Sequence, residues 1–212
     1  PKSFELAKFK KEIKKYALYL ALSGIGFSKT NLDTVERIYS LSKQMTDSHE
    51  SEQYSYDSPS SSPNLNTDQV LEITTSNSKF KAIMNIFYLD KIQGNFTVDI
   101  TGNSIKSLDK NRMDNHHIFP KSRVTNFSAK SKFNSIANFV VVDSVDNRIN
   151  IKDKTPKTYF SEIKLQGDAN FFCKQNLIDF NEIVEIEMEK EAEIFIKNRA
   201  SNIANVINSF FD

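Results

Sequence analysis

Asp114-Asn-His-His-Ile-Phe-Pro120 is the stretch on which the fold turns. It carries two of the three histidines in the chain, side by side, and closes on a proline. Successive residues of a regular strand point to opposite faces, so a straight strand would not aim both imidazoles at one target. At a strand end that bends into a loop, both can approach one metal-and-phosphate site. Pro120 has no N–H to offer a neighbouring strand and ends the ladder there. Taken alone, a His-His pair is more simply a polar strand end whose hydrogen bonds are satisfied locally. The residues further along the chain shift that balance.

Downstream, Ile136–Asp143 is the strongest β segment in the sequence, with Phe139-Val-Val-Val142 at its centre. Asn138 enters it and Asn147-Arg148 lies just beyond it. Each Asn by itself is ordinary turn or cap chemistry. Together the order is a strand with His-His, a long connection, a second strand, then Asn at a helix entry. That is a ββα-metal layout, in which one metal sits between a strand and a helix.

Outside this module the pattern is helical. Ser3 can cap a helix over about residues 4–22, with Leu6, Phe9, Ile13, Ala17 and Leu20 on one face and lysines on the other. Those lysines either track a nucleic-acid backbone or form a solvated face. Leu32, Val35, Ile38, Leu41 and Met45 mark a second helix. Residues 46–66 are Ser-rich, with Pro59 and Pro63, and form a loop. Helical spacing resumes from about Asp68 and continues through Leu89, and Gly94 stops it. Phe96–Thr101 alternates as a strand does. Helix returns around Pro156–Leu165. Asn176–Asp212 closes the chain as one long helix or two in succession, with Ile183, Ile186, Ile194, Ile203, Val206, Ile207 and Phe210 as its apolar set. The expected class is therefore α+β, mainly helical. Residues 1–95 form a helical region, and 96–212 hold the ββα module and the C-terminal helices.

The chain has 212 residues, enough for a buried core, and no run approaches the ~20 apolar residues that span a bilayer. No membrane partner is expected. Cys173, the single cysteine, excludes an internal disulfide framework and fits a reducing compartment, hence a cytoplasmic location. It is expected to be a small buried residue. One Cys and the distant His49 cannot complete a tetrahedral zinc site with His116 and His117. With only 5 Gly there is no phosphate-cradling glycine loop. The net charge of +1 hides a division. Residues 111–160 hold nine Lys/Arg against four Asp, whereas 179–193 hold seven acids against Lys190. The basic stretch coincides with the histidines. The acidic one is expected to be a solvated helix face.

Asp114–Tyr159 resembles an HNH nuclease domain. More narrowly, residues 96–212 resemble the nuclease part of GmrSD-type, modification-dependent restriction proteins. The motifs are His116–Lys121, Ile136-Ala-Asn138, Asn147-Arg148, Lys154-Thr-Pro-Lys-Thr-Tyr159 and the closing Phe195–Ile203. The resemblance implies a DNA endonuclease acting in defence against invading DNA. It implies His117 as general base and His116 and Asn147 as ligands of one divalent ion, Mg²⁺ or Mn²⁺ first, Ni²⁺ or Zn²⁺ as alternatives. Asn138 would hold the loop and orient the His117 ring, and Asp114 would stand behind the ligands. Lys121, Arg148 and Lys154 would meet DNA phosphates, or dock the helix in the case of Arg148 and Lys154. The DNA would be duplex, modified or unmodified, and an NTPase-type sensor domain would precede the nuclease.

The chemistry agrees with that division. Imidazole is available as a neutral base at cellular pH. General-base help is worth roughly 10²–10⁴-fold, far short of what phosphodiester hydrolysis needs, so a divalent ion must contribute the rest. A different class of function fits the helical first half and the Ser-rich insertion: a DNA-binding or partner-docking module with an inactive nuclease fold.

Overall fold

Four consecutive apolar residues, Phe139-Val-Val-Val142, are all buried. Residues on both sides of a strand can be buried only when both faces are covered, and β-branched side chains suit that environment. They form β2 (Phe139–Asp143), which pairs antiparallel with β1 (Met113–His117). The register sets Met113 against Asp143, His116 against Val140 and His117 against Phe139. β1 is polar, and its residues have little β preference of their own. It is a strand because the backbone groups of buried β2 need partners.

The computed structural model describes Tyr19, Leu22 and residues 64–77, 79–80, 83–84, 113–125, 132–162, 173–174, 176–187 and 189–211. The chain divides into two compact units, Pro1–Asn64 with Asn208–Asp212, and Leu65–Ile207. In the first, Tyr19 and Leu22 are helical and Leu22 is buried. The rest of the expected helices over 4–22 and 32–45, the Ser-rich loop up to residue 63, Gly94 and the Phe96–Thr101 strand lie outside the described residues. What is described is α+β, mostly helical with one small antiparallel sheet.

The second unit opens on α1 (Thr67–Leu71). Asn66 caps it: the Asn66 side chain accepts from Gln69 N–H, and the Gln69 side chain accepts from Asn66 N–H, both at 2.9 Å. The helix expected to run on to Leu89 breaks here. Thr74, Ser76 and Asn77 offer local side-chain bonds in its place. Thr74 and Ser76 hydroxyls meet at 3.0 Å, and Asn77 accepts from Lys79 N–H at 2.9 Å. Residues 79–80 and 83–84 are helical again. Ile73 C=O accepts from Ile136 N–H at 2.7 Å, which ties this segment to the entry of β2.

The strand expected from Ile136 begins at Phe139. Ser135 accepts from Ala137 N–H and caps a 3-10 turn, Ile136–Asn138, before the sheet starts. A two-stranded sheet is marginal alone and needs cover. Phe80 packs edge-on against Phe139, with centroids 5.1 Å apart.

Beyond β2, a helical turn (Ser144–Asp146) widens into a π turn (Asn147–Ile151). Lys152, at φ 51°, ends it. α2 (Pro156–Glu162) starts on proline, whose missing N–H costs nothing at that position. The C-terminal segment is two helices. α3 (Phe180–Glu185) is capped by Asp179, and α4 (Glu189–Phe211) is 23 residues long. Ala192, Phe195, Ile196, Arg199, Ile203 and Ile207 give α4 its buried stripe. Ile194, expected within that stripe, is 54% exposed; Phe195 and Ile196 take the inner positions. Among the described residues no helix is long and apolar enough to cross a membrane.

Candidate functional site

Asp114 and His116 are two apart on β1, so both side chains leave the same face. The π turn places Asn147 opposite them. Asn147 Oδ1 lies 2.9 Å from His116 Nδ1, and Asn147 Nδ2 donates to Asp114 Oδ2 at 3.3 Å. One amide therefore spans both strand residues. Because its NH₂ end faces the carboxylate, its carbonyl end faces the ring, and Nδ1 carries the proton in this pair. Arg148, next in the chain, puts Nε 3.6 Å from the same Asp114 Oδ2.

His116 is buried, with Tyr159 edge-on to its ring at 5.9 Å between centroids. Its Nε2 is buried and has no hydrogen-bond partner among the described residues. A histidine satisfied within a core would not leave one nitrogen so. Burial is the main cause that lowers its pKa to about 4; the Asn147 bond raises it and the neighbouring His117 lowers it further. His116 is neutral at pH 7.

His117 takes other neighbours. It closes β1, and its ring lies against Phe139, its cross-strand partner, at 4.1 Å between centroids. Its Nε2 meets Asn134 Oδ1 at 3.3 Å. Burial lowers its pKa most; the Asn134 bond acts the other way, and the Lys121 charge lowers it. β1 stays paired through His117 and bends only afterwards, so the two imidazoles share no partner among the described residues. His116 meets Asn147 and His117 meets Asn134, two different amides beside one strand end.

Asn138 meets the loop and, among the described residues, not the His117 ring. It is fully buried, and its Oδ1 accepts from Phe119 N–H at 2.9 Å. Its Nδ2 donates to Phe119 C=O at 3.0 Å and Phe133 C=O at 2.9 Å. Asn138 thus holds the Ile118–Pro120 bend, while the bond to the His117 ring comes from Asn134. No periodicity or motif marks Asn134 in the sequence.

Lys121 is exposed, in a 3-10 turn just past the bend. Arg148 has 74% of its side chain exposed. Lys154 is half-buried. Arg123 Nε donates to Asp153 C=O at 2.9 Å, which joins the two basic segments. Arg199, buried on α4, is legible in the sequence only as part of the closing motif. It donates to the carbonyls of Ala137 at 2.7 Å, Phe139 at 3.0 Å and Asn176 at 2.9 Å, and so pins the entry of β2.

Among the described residues no three His, Cys, Asp or Glu side chains gather as a metal cluster. The donor set here includes an amide instead. Neutral imidazole has a second tautomer, with its proton on Nε2. Nδ1 and Asn147 Oδ1 then offer lone pairs 2.9 Å apart. Ligand bonds of ~2.1 Å at right angles need donors about 3.0 Å apart, so the pair fits a small divalent ion. No model of a known family, no curated protein and no solved structure matches this chain.

Proposed function

We propose that the chain is a metal-dependent DNA endonuclease of the HNH type, the effector part of a restriction or anti-phage defence protein. The observation that carries this reading is the meeting of His116 and Asn147 at 2.9 Å, across 31 residues of chain, with the partly exposed His117 ring beside it on β1.

His116 and Asn147 would hold one divalent ion, Mg²⁺ or Mn²⁺. When bound, it supplies positive charge to the scissile phosphate and to the leaving oxygen. His117 is the base. Asn134 Oδ1 accepts the Nε2 proton, so the Nδ1 lone pair is free to take a proton from the attacking water. The lowered pKa keeps that ring neutral near pH 7. Asn138 keeps the bend after His117 fixed, and Lys121, Arg148 and Lys154 provide positive charge for DNA phosphates. By the resemblance to GmrSD-type proteins, the substrate is duplex DNA, modified DNA included, the location is cytoplasmic and an NTPase-type sensor domain is the partner.

The test is cleavage of modified and unmodified plasmid with Mg²⁺ or Mn²⁺, by wild type and by His117→Ala. Wild type should cut, and the variant should lose roughly 10²–10⁴-fold in rate. Equal cutting by the variant would remove His117 from the chemistry. The separate partners of the two imidazoles favour a second reading, a DNA-binding or partner-docking module with an inactive nuclease fold. DNA retention with a steep salt dependence, but no cleavage with any divalent metal, would establish it.

A further inference from the structure

We infer that Asp114 is the third protein ligand of the divalent ion and that Arg148 keeps its place in the metal-free chain. This rests on the metal-dependent reading of the same site. Asp114 and His116 leave one face of β1, and one amide, that of Asn147, touches both, at 3.3 and 2.9 Å. The carboxylate faces the NH₂ end of that amide, next to the two expected donors, and reaches the ion by turning away from Nδ2.

Charge gives the second reason. His116 and Asn147 together are a neutral shell, and His116 is buried. A divalent ion entering such a place loses water and needs an anion in return. Asp114 is the carboxylate at hand. Mg²⁺ is usually held by one or two carboxylates, with water and substrate phosphate completing the shell.

In the metal-free chain Asp114 is met by another cation. Arg148 Nε stands 3.6 Å from Oδ2, too far for a charge-assisted hydrogen bond, and its side chain is 74% exposed. Such a contact is loosely held and easily displaced. A divalent ion on Asp114 repels the guanidinium. Metal binding therefore exchanges one cation for another at Asp114 and releases Arg148, which sits next to Asn147 in the chain, toward a phosphate.

The experiment is Mn²⁺ titration of the whole chain without DNA, by calorimetry, on protein stripped with chelator. Wild type binds one Mn²⁺. Asp114→Asn binds more than about 100-fold more weakly, beyond the cost of losing a group that stands behind the ligands. Arg148→Gln, an exposed change that leaves the fold intact, binds about threefold more tightly because the competitor is gone. The double variant shows no such gain over Asp114→Asn, since the competition runs through that carboxylate. A gain that persists in the double variant would reflect general electrostatics and overturn the inference, as would Asp114→Asn binding within about 100-fold of wild type, the loss expected of a group that only orients Asn147. In either case, retained Mn²⁺ binding by wild type leaves the metal-dependent reading standing. Failure of wild type to bind Mn²⁺ overturns both.

Discussion

Asn147 reaches His116 with its carbonyl, at 2.9 Å, and its NH₂ reaches back to the same strand two residues earlier, at Asp114. The amide is a two-ended strap. It sets the orientation of the ring, and the carboxylate sets the orientation of the amide.

Asn147→Ala removes that strap. Mn²⁺ affinity and cleavage should each fall about 10–100-fold, while stability changes by only about 1 kcal/mol, one partly buried hydrogen bond. Calorimetric titration and denaturant melts measure the two effects. Unchanged affinity would take Asn147 out of the ion's surroundings.

Asn134 and Asn138 should separate cleanly. Asn138→Ala leaves one N–H and two C=O groups of the bend without partners in a buried place and should cost about 2–4 kcal/mol. Asn134→Ala should cost less than about 1 kcal/mol but slow cleavage, because the His117 ring loses its only side-chain hydrogen bond among the described residues. A slow Asn138→Ala with full stability would reverse the two assignments.

Stability should depend on pH through His116. Its folded pKa is about 4 against an ordinary 6.5, so the unfolded chain binds more protons between those values. The contribution is complete above pH 6.5 and is lost as pH falls toward 4, about 3 kcal/mol in all. Chelator-treated protein should melt at progressively lower temperature across that window. His116→Gln should flatten the dependence, and an unaltered slope would contradict it.

Cleavage should have its acid limb below pH 6.5. A base acts only when deprotonated, and burial has moved the His117 pKa downward. Activity therefore persists through pH 6.5 and declines below it. A limb centred above 6.5 would mean that His117 is not the titrating base.

Arg199→Met should destabilise the second unit by about 3–5 kcal/mol, although it lies on the last helix and carries no part of the proposed chemistry. Three backbone carbonyls lose a charged donor in the interior. Equilibrium denaturation of the whole chain reads this directly. A loss under 1 kcal/mol would show that the carbonyls find other partners.

How much of the molecule is legible in its sequence depends on which force dominates at each place. β2 is legible because four apolar residues in a row have few ways to be buried. His116, His117 and Asn147 are legible because residue type and spacing are themselves chemical signals. β1 is legible only through its histidines, since its strand character is borrowed from β2. Asn134 is not legible: its bond to His117 joins two loop-bordering residues 17 apart, and nothing periodic leads there. The charged residues mislead. Arg199 belongs to the buried stripe of α4 at the spacing of its apolar neighbours, which a search restricted to apolar residues passes over. Glu189 and Glu193, on the expected solvated face, accept from Thr125 at 2.8 Å and Lys132 at 3.5 Å in exposed contacts.

Two of the three carbonyls that Arg199 grips, those at the entry of β2, precede it by 62 and 60 residues. A ribosome therefore delivers β2 well before the residue that ties its entry down. At about 5–20 residues per second the gap lasts about 3–12 s. Throughout that interval the histidine strand has a partner whose own anchor does not yet exist. The hydrogen bonds that fix the entry of β2 are therefore among the last of this unit to form during synthesis.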